Sequence, residues 1–341
     1  RRALAERFRL DAPALVRVAS SADGTVKQLW RMADGELVES VLIPAGRRRT
    51  LCISSQAGCA MACVFCATGW SGYRRQLTIG EIVGQFRGAR RWARERGLGP
   101  ITNVVFMGMG EPLANRAAVL PALTLLNRAY GVGARRITVS TVGIVPGILE
   151  LAARPEQFRL AVSLHAPNHE LRARLVPVER KYPLPELLDA LRRFEAAGGR
   201  RITFEYVMID GVNDDLALAA ELAELVRPFT AHVNLIPFNP VPGTGWRATP
   251  PGRLRAFAAL LRARGVPATV REPRGLDIAA ACGQLRAEHE LRPPRPFVLL
   301  RAAAGGPARA AAAPAAGPGS GLVAGDPGRT GRAATGGSSG P

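Results

Sequence analysis

The chain is poor in cysteine and almost devoid of lysine, and it has no long uninterrupted apolar run. No stretch reaches the ~18 uncharged apolar residues that a membrane-spanning helix needs, which excludes such a helix. The first residues, RRALAERFRLDAPAL, lack the apolar centre of a secretory signal peptide. They begin at Arg1 rather than Met, so further residues are expected upstream. Five cysteines is an odd number, and three of them fall within residues 59–66. That makes a poor disulfide framework and a good ligand cluster, and a reducing cytoplasm is the expected setting. No internal repeat is found. From Arg301 onward the chain loses both periodicity and large apolar side chains. Such a composition cannot offset the entropy of ordering, and residues 301–341 are expected to form a disordered tail.

What is present is basic charge and a core. The net charge is +19, carried by arginine except at Lys27 and Lys181. Positive potential of that size favours a polyanionic partner, and nucleic acid is the usual one. Apolar residues make up 47% of the 341, enough for a sizeable core.

Between Thr50 and Pro273 strand-like and helix-like segments alternate. Strands are predicted at 50–56, 101–107, 136–141, 159–164, 202–209 and 233–238, each a short apolar or β-branched run. Helices are predicted at 78–96, 116–130, 145–153, 184–197, 215–227 and 251–264. The stretch LPELLDALRRFEAAG carries an i, i+3, i+4, i+7 apolar stripe, with Gly198 and Gly199 to stop it. This β-then-α order predicts a parallel α/β sheet or barrel. Residues 16–45 read instead as a small antiparallel hairpin. The expected layout is therefore a lead-in over 1–45, a core over 46–300 and the tail.

Polar residues gather at the predicted strand ends: Gly108 to Glu111, Ser140, Ser163 to His165, and Asn239. Ligands of parallel α/β folds bind there. The strongest motif is Cys59-x3-Cys63-x2-Cys66. Three thiolates in one loop can hold three irons of a [4Fe–4S] cubane and leave the fourth open to a chelating ligand. Structural zinc is the alternative, but it asks for four ligands in two close pairs, and no second pair exists. Beside this loop, Gly110 and Glu111 suit a clamp for the amino acid part of S-adenosylmethionine (SAM). Ser140, Ser163, Leu164, His165 and Asn239 offer groups for its remainder. Taken one at a time, each is an ordinary turn or cap residue.

These residues carry a resemblance. The segments LCISSQAGCAMACVFCATG, FMGMGEPLAN, VSLHAPN, LIPFNP and RGLDIAAACGQL resemble the radical SAM adenosine methyltransferases of RNA, from about Arg7 to Leu285. The resemblance implies a partial (β/α)6 radical SAM barrel with an open mouth. It implies methylation of carbon 2 of an adenosine in 23S rRNA and in tRNA, with two SAM molecules consumed per turnover. It also implies an electron donor such as flavodoxin with its reductase, and a monomer. Cys59, Cys63 and Cys66 match the cluster ligands. Gly110, Glu111, Ser140, Ser163, Leu164, His165 and Asn239 match the SAM contacts. Glu39 matches the proton acceptor, Cys282 the methyl-carrying thiol, and Cys52 the thiol that later forms a transient disulfide with it. Read without the family, Glu39 is a solvated strand residue, and both thiols are buried core residues. Two rival readings stand beside this one: an enzyme that methylates carbon 8 instead, and a non-catalytic, basic RNA-binding protein. The family usually begins with a small helical RNA-binding domain, of which Arg1 to Leu10 would be the last turns.

Overall fold

A computed structural model describes residues 12–199 and 201–287. The expected N-terminal remnant and C-terminal tail lie outside the described residues. Twelve strands are described: β1 (Ala14–Ser20), β2 (Val26–Arg31), β3 (Leu37–Ala45), β4 (Arg48–Cys52), β5 (Gln56–Gly58), β6 (Tyr73–Gln76), β7 (Asn103–Phe106), β8 (Ile137–Thr141), β9 (Arg159–Ser163), β10 (Ile202–Met208), β11 (Ala231–Pro237) and β12 (Ala268–Val270). The helices are α1 (Ala67–Trp70), α2 (Ile79–Glu95), α3 (Arg116–Thr124), α4 (Val145–Ala152), α5 (His169–Leu175), α6 (Leu184–Ala196), α7 (Leu216–Val226) and α8 (Pro251–Ala263).

The main sheet runs β1-β2-β3-β4-β7-β8-β9-β10-β11-β12. From β4 to β12 every pairing is parallel. The six predicted parallel strands are all present, in sequence order, as an open barrel. Leu160, Ala161 and Val162 of β9 and Phe204 and Tyr206 of β10 are buried, as strands covered on both faces must be. The predicted stripe of α6 is its buried face: Leu184, Leu187, Leu188, Leu191 and Phe194. Gly198 then takes φ +87° and the Gly199 amide bonds back to the Phe194 carbonyl, which ends the helix. Thr78 and Glu81 start α2 with a reciprocal capping box.

Three features depart from expectation. The lead-in is a three-stranded meander rather than a hairpin, and it continues the sheet across residue 45 because β3 pairs with β4. β1 escaped notice because its side chains are exposed or half-buried, so it carries no apolar alternation. β12 extends the parallel run, but it is three residues long with two of them exposed. Predicted helix 116–130 contains Pro121 and passes at Leu125–Ala129 into a wider π turn. Among the described residues no helix is long and apolar enough to cross a membrane.

The meander is packed tightly onto the core. Trp30 of β2 is buried and its indole N–H donates to Ser40 Oγ at 2.7 Å. Its ring lies against Gly88 of α2, where an added Cβ would sit 2.4 Å from a ring carbon. Gly88→Ala should therefore lower stability by about 1–3 kcal/mol through overpacking, even though alanine is the better helix former by about 1 kcal/mol. Denaturant unfolding checks the sign; an unchanged or raised midpoint would mean that β2 yields easily.

Candidate active site

The short antiparallel pair β5–β6 brackets the cysteine loop. The Cys59 amide donates to the Gly72 carbonyl at 2.8 Å, and a Cβ on Gly58 would lie 1.9 Å from that oxygen. Within the loop, the Cys66 amide bonds the Cys63 carbonyl and the Trp70 indole bonds the Val64 carbonyl. All three thiols face one cleft at the carboxyl ends of the parallel strands. The same cleft is lined by Gly110, Glu111, Ser140, Ser163, His165, Asn239 and Cys282.

The remaining predicted residues lie elsewhere. Leu164 is fully buried beneath the cleft, its N–H given to the Glu205 carbonyl and its own carbonyl taking the Arg172 Nε–H. Cys52 lines a smaller adjoining cavity, which Cys282 also enters. Glu39 is buried and fully engaged. One carboxylate oxygen lies 3.0 Å from Lys27 Nζ, and the other accepts the Arg286 and Ala287 amides at 3.0 and 2.9 Å.

Gly108 and Gly110 serve a purpose other than ligand approach alone. A Cβ on Gly108 would lie 2.7 Å from the Ile53 backbone, and one on Gly110 would lie 2.5 Å from Gln56. Both glycines let the chain after β4 pass close beneath; Gly110 also needs φ +97°. Glu111 leaves this turn buried. Its two oxygens accept the Leu113 and Val142 amides at 3.0 and 2.9 Å, which joins the ends of β7 and β8. Burial pushes its carboxyl up to about 7 against the pull of those amides.

His165 sits at φ +63°, a conformation uncommon outside glycine. The Val207 amide donates to its Nδ1 at 3.0 Å, so Nε2 carries the proton in the neutral ring. Burial, helped by the Arg172 charge, holds its pKa down to about 3. Phe65 of the cysteine loop packs edge-on against this ring at 4.5 Å. Arg172, wholly buried, ties the strand ends together by donating to the Leu164 and Val142 carbonyls while it pairs with Glu179.

The thiols test which metal group the site suits. Burial, then the neighbouring Cys66, pushes the Cys59 thiol up to about 12. Burial and the other two sulfurs raise Cys63 well above the ordinary thiol range. Burial also raises Cys66, against hydrogen bonds from Gly69 and Thr68. Three crowded thiols of this kind want a cationic partner, and metal ligation deprotonates them outright. Among the described residues no three Cys, His, Asp or Glu side chains converge as ligands of a single ion would. A cubane places each thiolate on its own iron, so the donor set fits a [4Fe–4S] cluster and not a lone zinc ion.

Two charged residues of the cleft, Glu205 and Arg271, lie outside the predicted set. Glu205 had a signal: it is the one charge inside the apolar run ITFEYVMI. Arg271, just past the short β12, had none. Its guanidinium lies in the field of Cys282, Glu205 and Cys52, and Cys282 above all holds its pKa up.

An open parallel barrel with a three-thiol loop and a polar cleft at its strand ends defines the class. The Radical SAM superfamily model matches residues 53–223. A protein described as "probable dual-specificity RNA methyltransferase RlmN" from Gemmatimonas aurantiaca is 56% identical over 290 residues, which cover 84% of this chain and 79% of that protein. The dual-specificity RNA methyltransferase RlmN of Anaeromyxobacter dehalogenans is 51% identical over 294 residues, 84% of this chain and 79% of its own length. The crystal structure of a radical SAM methyltransferase from Sphaerobacter thermophilus superposes with a TM-score of 0.81 at 52% identity, covering 84% of this chain and 85% of that one. The chain belongs to the RlmN family of the radical SAM superfamily. Membership of the superfamily implies a [4Fe–4S] cluster and SAM.

The buried, neutral His165 makes a stability prediction. An unfolded histidine binds its proton near pH 6.5, whereas this one resists until about 3. Below pH 6.5 the unfolded chain therefore holds the extra proton, and stability falls as pH drops, by up to about 1.4 kcal/mol per unit from this residue. His165→Asn should flatten the pH dependence of unfolding between pH 6 and 4, measured by denaturant titration. An unchanged slope would place the acid sensitivity elsewhere.

Proposed function

We propose that this chain methylates carbon 2 of an adenosine in 23S rRNA and in tRNA, in the cytoplasm, through a methyl-cysteine intermediate at Cys282. The observation that carries the reading is the position of Cys282. It shares one cavity with the three cluster thiols and a second with Cys52. A methyl-carrying thiol has to meet the radical source on one side and a resolving thiol on the other.

The ring carbon to be methylated is an electron-poor C–H without useful nucleophilicity, so a polar methyl transfer fails and a radical route is required. Cys59, Cys63 and Cys66 would hold the cluster; Glu111, Ser140, Ser163, His165 and Asn239 would surround SAM. When bound, the cluster supplies the electron that cleaves SAM and so permits hydrogen abstraction. Two SAM molecules serve each turnover, the first as methyl donor to Cys282 by ordinary displacement. Cys282 then carries the methyl carbon to the adenine ring and is left joined to RNA. Glu39 would take the ring proton on the oxygen that Lys27 now faces, the other oxygen keeping the Arg286 and Ala287 amides. The Cys52 thiolate attacks the Cys282 sulfur: an S–S bond forms, and the S–C bond breaks with its electron pair on carbon. That carbon takes a proton from solvent to leave as the methyl group of the released base, the one unpaired electron of the adduct passing to the cluster that the three cysteines would hold. The shared cavity of the two cysteines supports this exchange, which needs the sulfurs to meet. The net charge of +19 suits an RNA backbone, and a target adenine must leave its stack to reach the cleft.

Two outcomes follow. Cys59→Ala, Cys63→Ala and Cys66→Ala should each lose iron and the broad visible absorption of a thiolate cubane in anaerobically purified protein. Full iron content in any of the three removes that cysteine from the ligand set. Cys52→Ala should accumulate a covalent protein–RNA adduct visible as a shifted gel band, whereas Cys282→Ala should form none. Normal turnover by Cys52→Ala with no adduct would make Cys52 a mere core thiol.

A further inference from the structure

Glu205 stands on β10 between Ser163 of β9 and Asn234 of β11, its register partners. It is only 5% exposed, yet it lines the cleft. One carboxyl oxygen is fixed: Asn234 Nδ2 donates to Oε1 at 3.1 Å. Asn234 is itself held, because its own oxygen accepts the Thr269 hydroxyl at 2.8 Å. The other oxygen, Oε2, is buried with no hydrogen-bond partner among the described residues. Arg271, which lines the same cleft, acts on Glu205 through its charge, but no ion pair joins them among the described residues. A buried carboxyl oxygen left unsatisfied costs about 1–3 kcal/mol or more. A core built for stability alone would have placed an apolar side chain there. The held oxygen fixes the orientation of the carboxyl, and the free one faces an empty requirement.

We propose that Glu205 is an adenosine-binding residue of this cleft, its Oε2 meeting the amino-bearing edge of a bound adenine. The choice of ligand rests on the methyltransferase reading, under which both molecules that enter the cleft, SAM and the target nucleotide, carry an adenosine. Adenine offers a donor amino group beside a ring-nitrogen acceptor. A carboxyl group serves the first when ionised and both when protonated. Burial raises the Glu205 pKa, which favours the protonated form. The residue thereby recognises adenine without donating a second fixed charge to the cleft. Asn239 Oδ1, also in the cleft and likewise without a partner, shows that a second polar contact awaits a ligand there.

Reconstituted full-length holoenzyme carrying Glu205→Gln or Glu205→Leu tests this. SAM affinity is read by equilibrium dialysis, and RNA affinity by gel-shift titration of a stem-loop bearing the target adenosine at saturating SAM. Glu205→Gln keeps a polar atom at either orientation of its amide and should stay within about threefold of wild type in both. Glu205→Leu should lose about ten- to a hundredfold in one of them. Loss in the SAM arm assigns the contact to the cofactor's adenosine, and loss in the RNA arm assigns it to the substrate's. Glu205→Leu should stay near the wild-type Tm, because the unsatisfied oxygen it removes offsets the Asn234 hydrogen bond it also removes. A lowered Tm or absent folded protein for Glu205→Leu would mean a structural role and overturn the proposal. So would unchanged affinities in both arms, or a more than tenfold loss in Glu205→Gln. Wild-type methyl transfer, measured alongside, tests the methyltransferase reading separately, since the SAM arm reports on Glu205 whether or not RNA is methylated.

Discussion

The hydrogen bonds that tie the segment from Gly275 to Ala287 to the rest of the chain decide whether the cleft is assembled. Asn239 Nδ2 donates to the Cys282 carbonyl, the Ala67 amide to the Gly283 carbonyl, and the Thr68 hydroxyl to the Leu285 carbonyl. From the meander, Asp23 accepts the Gly275 amide, Lys27 reaches the Ala279 carbonyl, and Glu39 takes the Arg286 and Ala287 amides. Each contact is modest alone, about 1 kcal/mol net, but together they come from the meander, the cysteine loop and the end of β11. That is how one thiol late in the sequence is held beside both the cysteine loop and Cys52. It also explains why the meander extends the sheet: its buried Glu39 is an anchor for the segment that carries Cys282.

A low-dielectric setting governs most of the ionisable groups in and beside the cleft. Burial raises the thiols of Cys52, Cys59, Cys63 and Cys66 and the carboxyls of Glu111 and Glu205, and lowers His165. Each shift favours the neutral form, so the protein alone keeps a nearly uncharged cavity, with Arg271 as the exception. An iron–sulfur core and a sulfonium ligand would bring the charge. Rigidity at the strand ends comes from Arg172, whose pair with Glu179 and two carbonyl bonds fix β8 and β9 relative to each other. The left-handed backbone of His165 is sustained by those neighbours rather than by its own preference.

By itself the sequence determined what local rules can carry. The two-face apolar runs set the parallel strands and their order, the stripe in 184–198 set a helix with its stop, and the C-x3-C-x2-C spacing marked the three-thiol loop. What escaped was whatever lacked a local signature: the exposed β1, the three-residue β12, the β5–β6 pair. Tertiary structure alone decided the contacts between distant segments. The roles of Gly108 and Gly110 as passage for the chain after β4, the burial of Glu39 under residues 286–287, and the approach of Arg271 to Cys52 and Cys282 depend on pairs up to 248 residues apart. Glu205 shows the boundary between the two. Its charge within an apolar strand was visible in the sequence, but only the fold revealed that one of its oxygens is held and the other is left without a partner, because hydrogen-bond satisfaction is a property of packed neighbours and not of a residue's place in the chain.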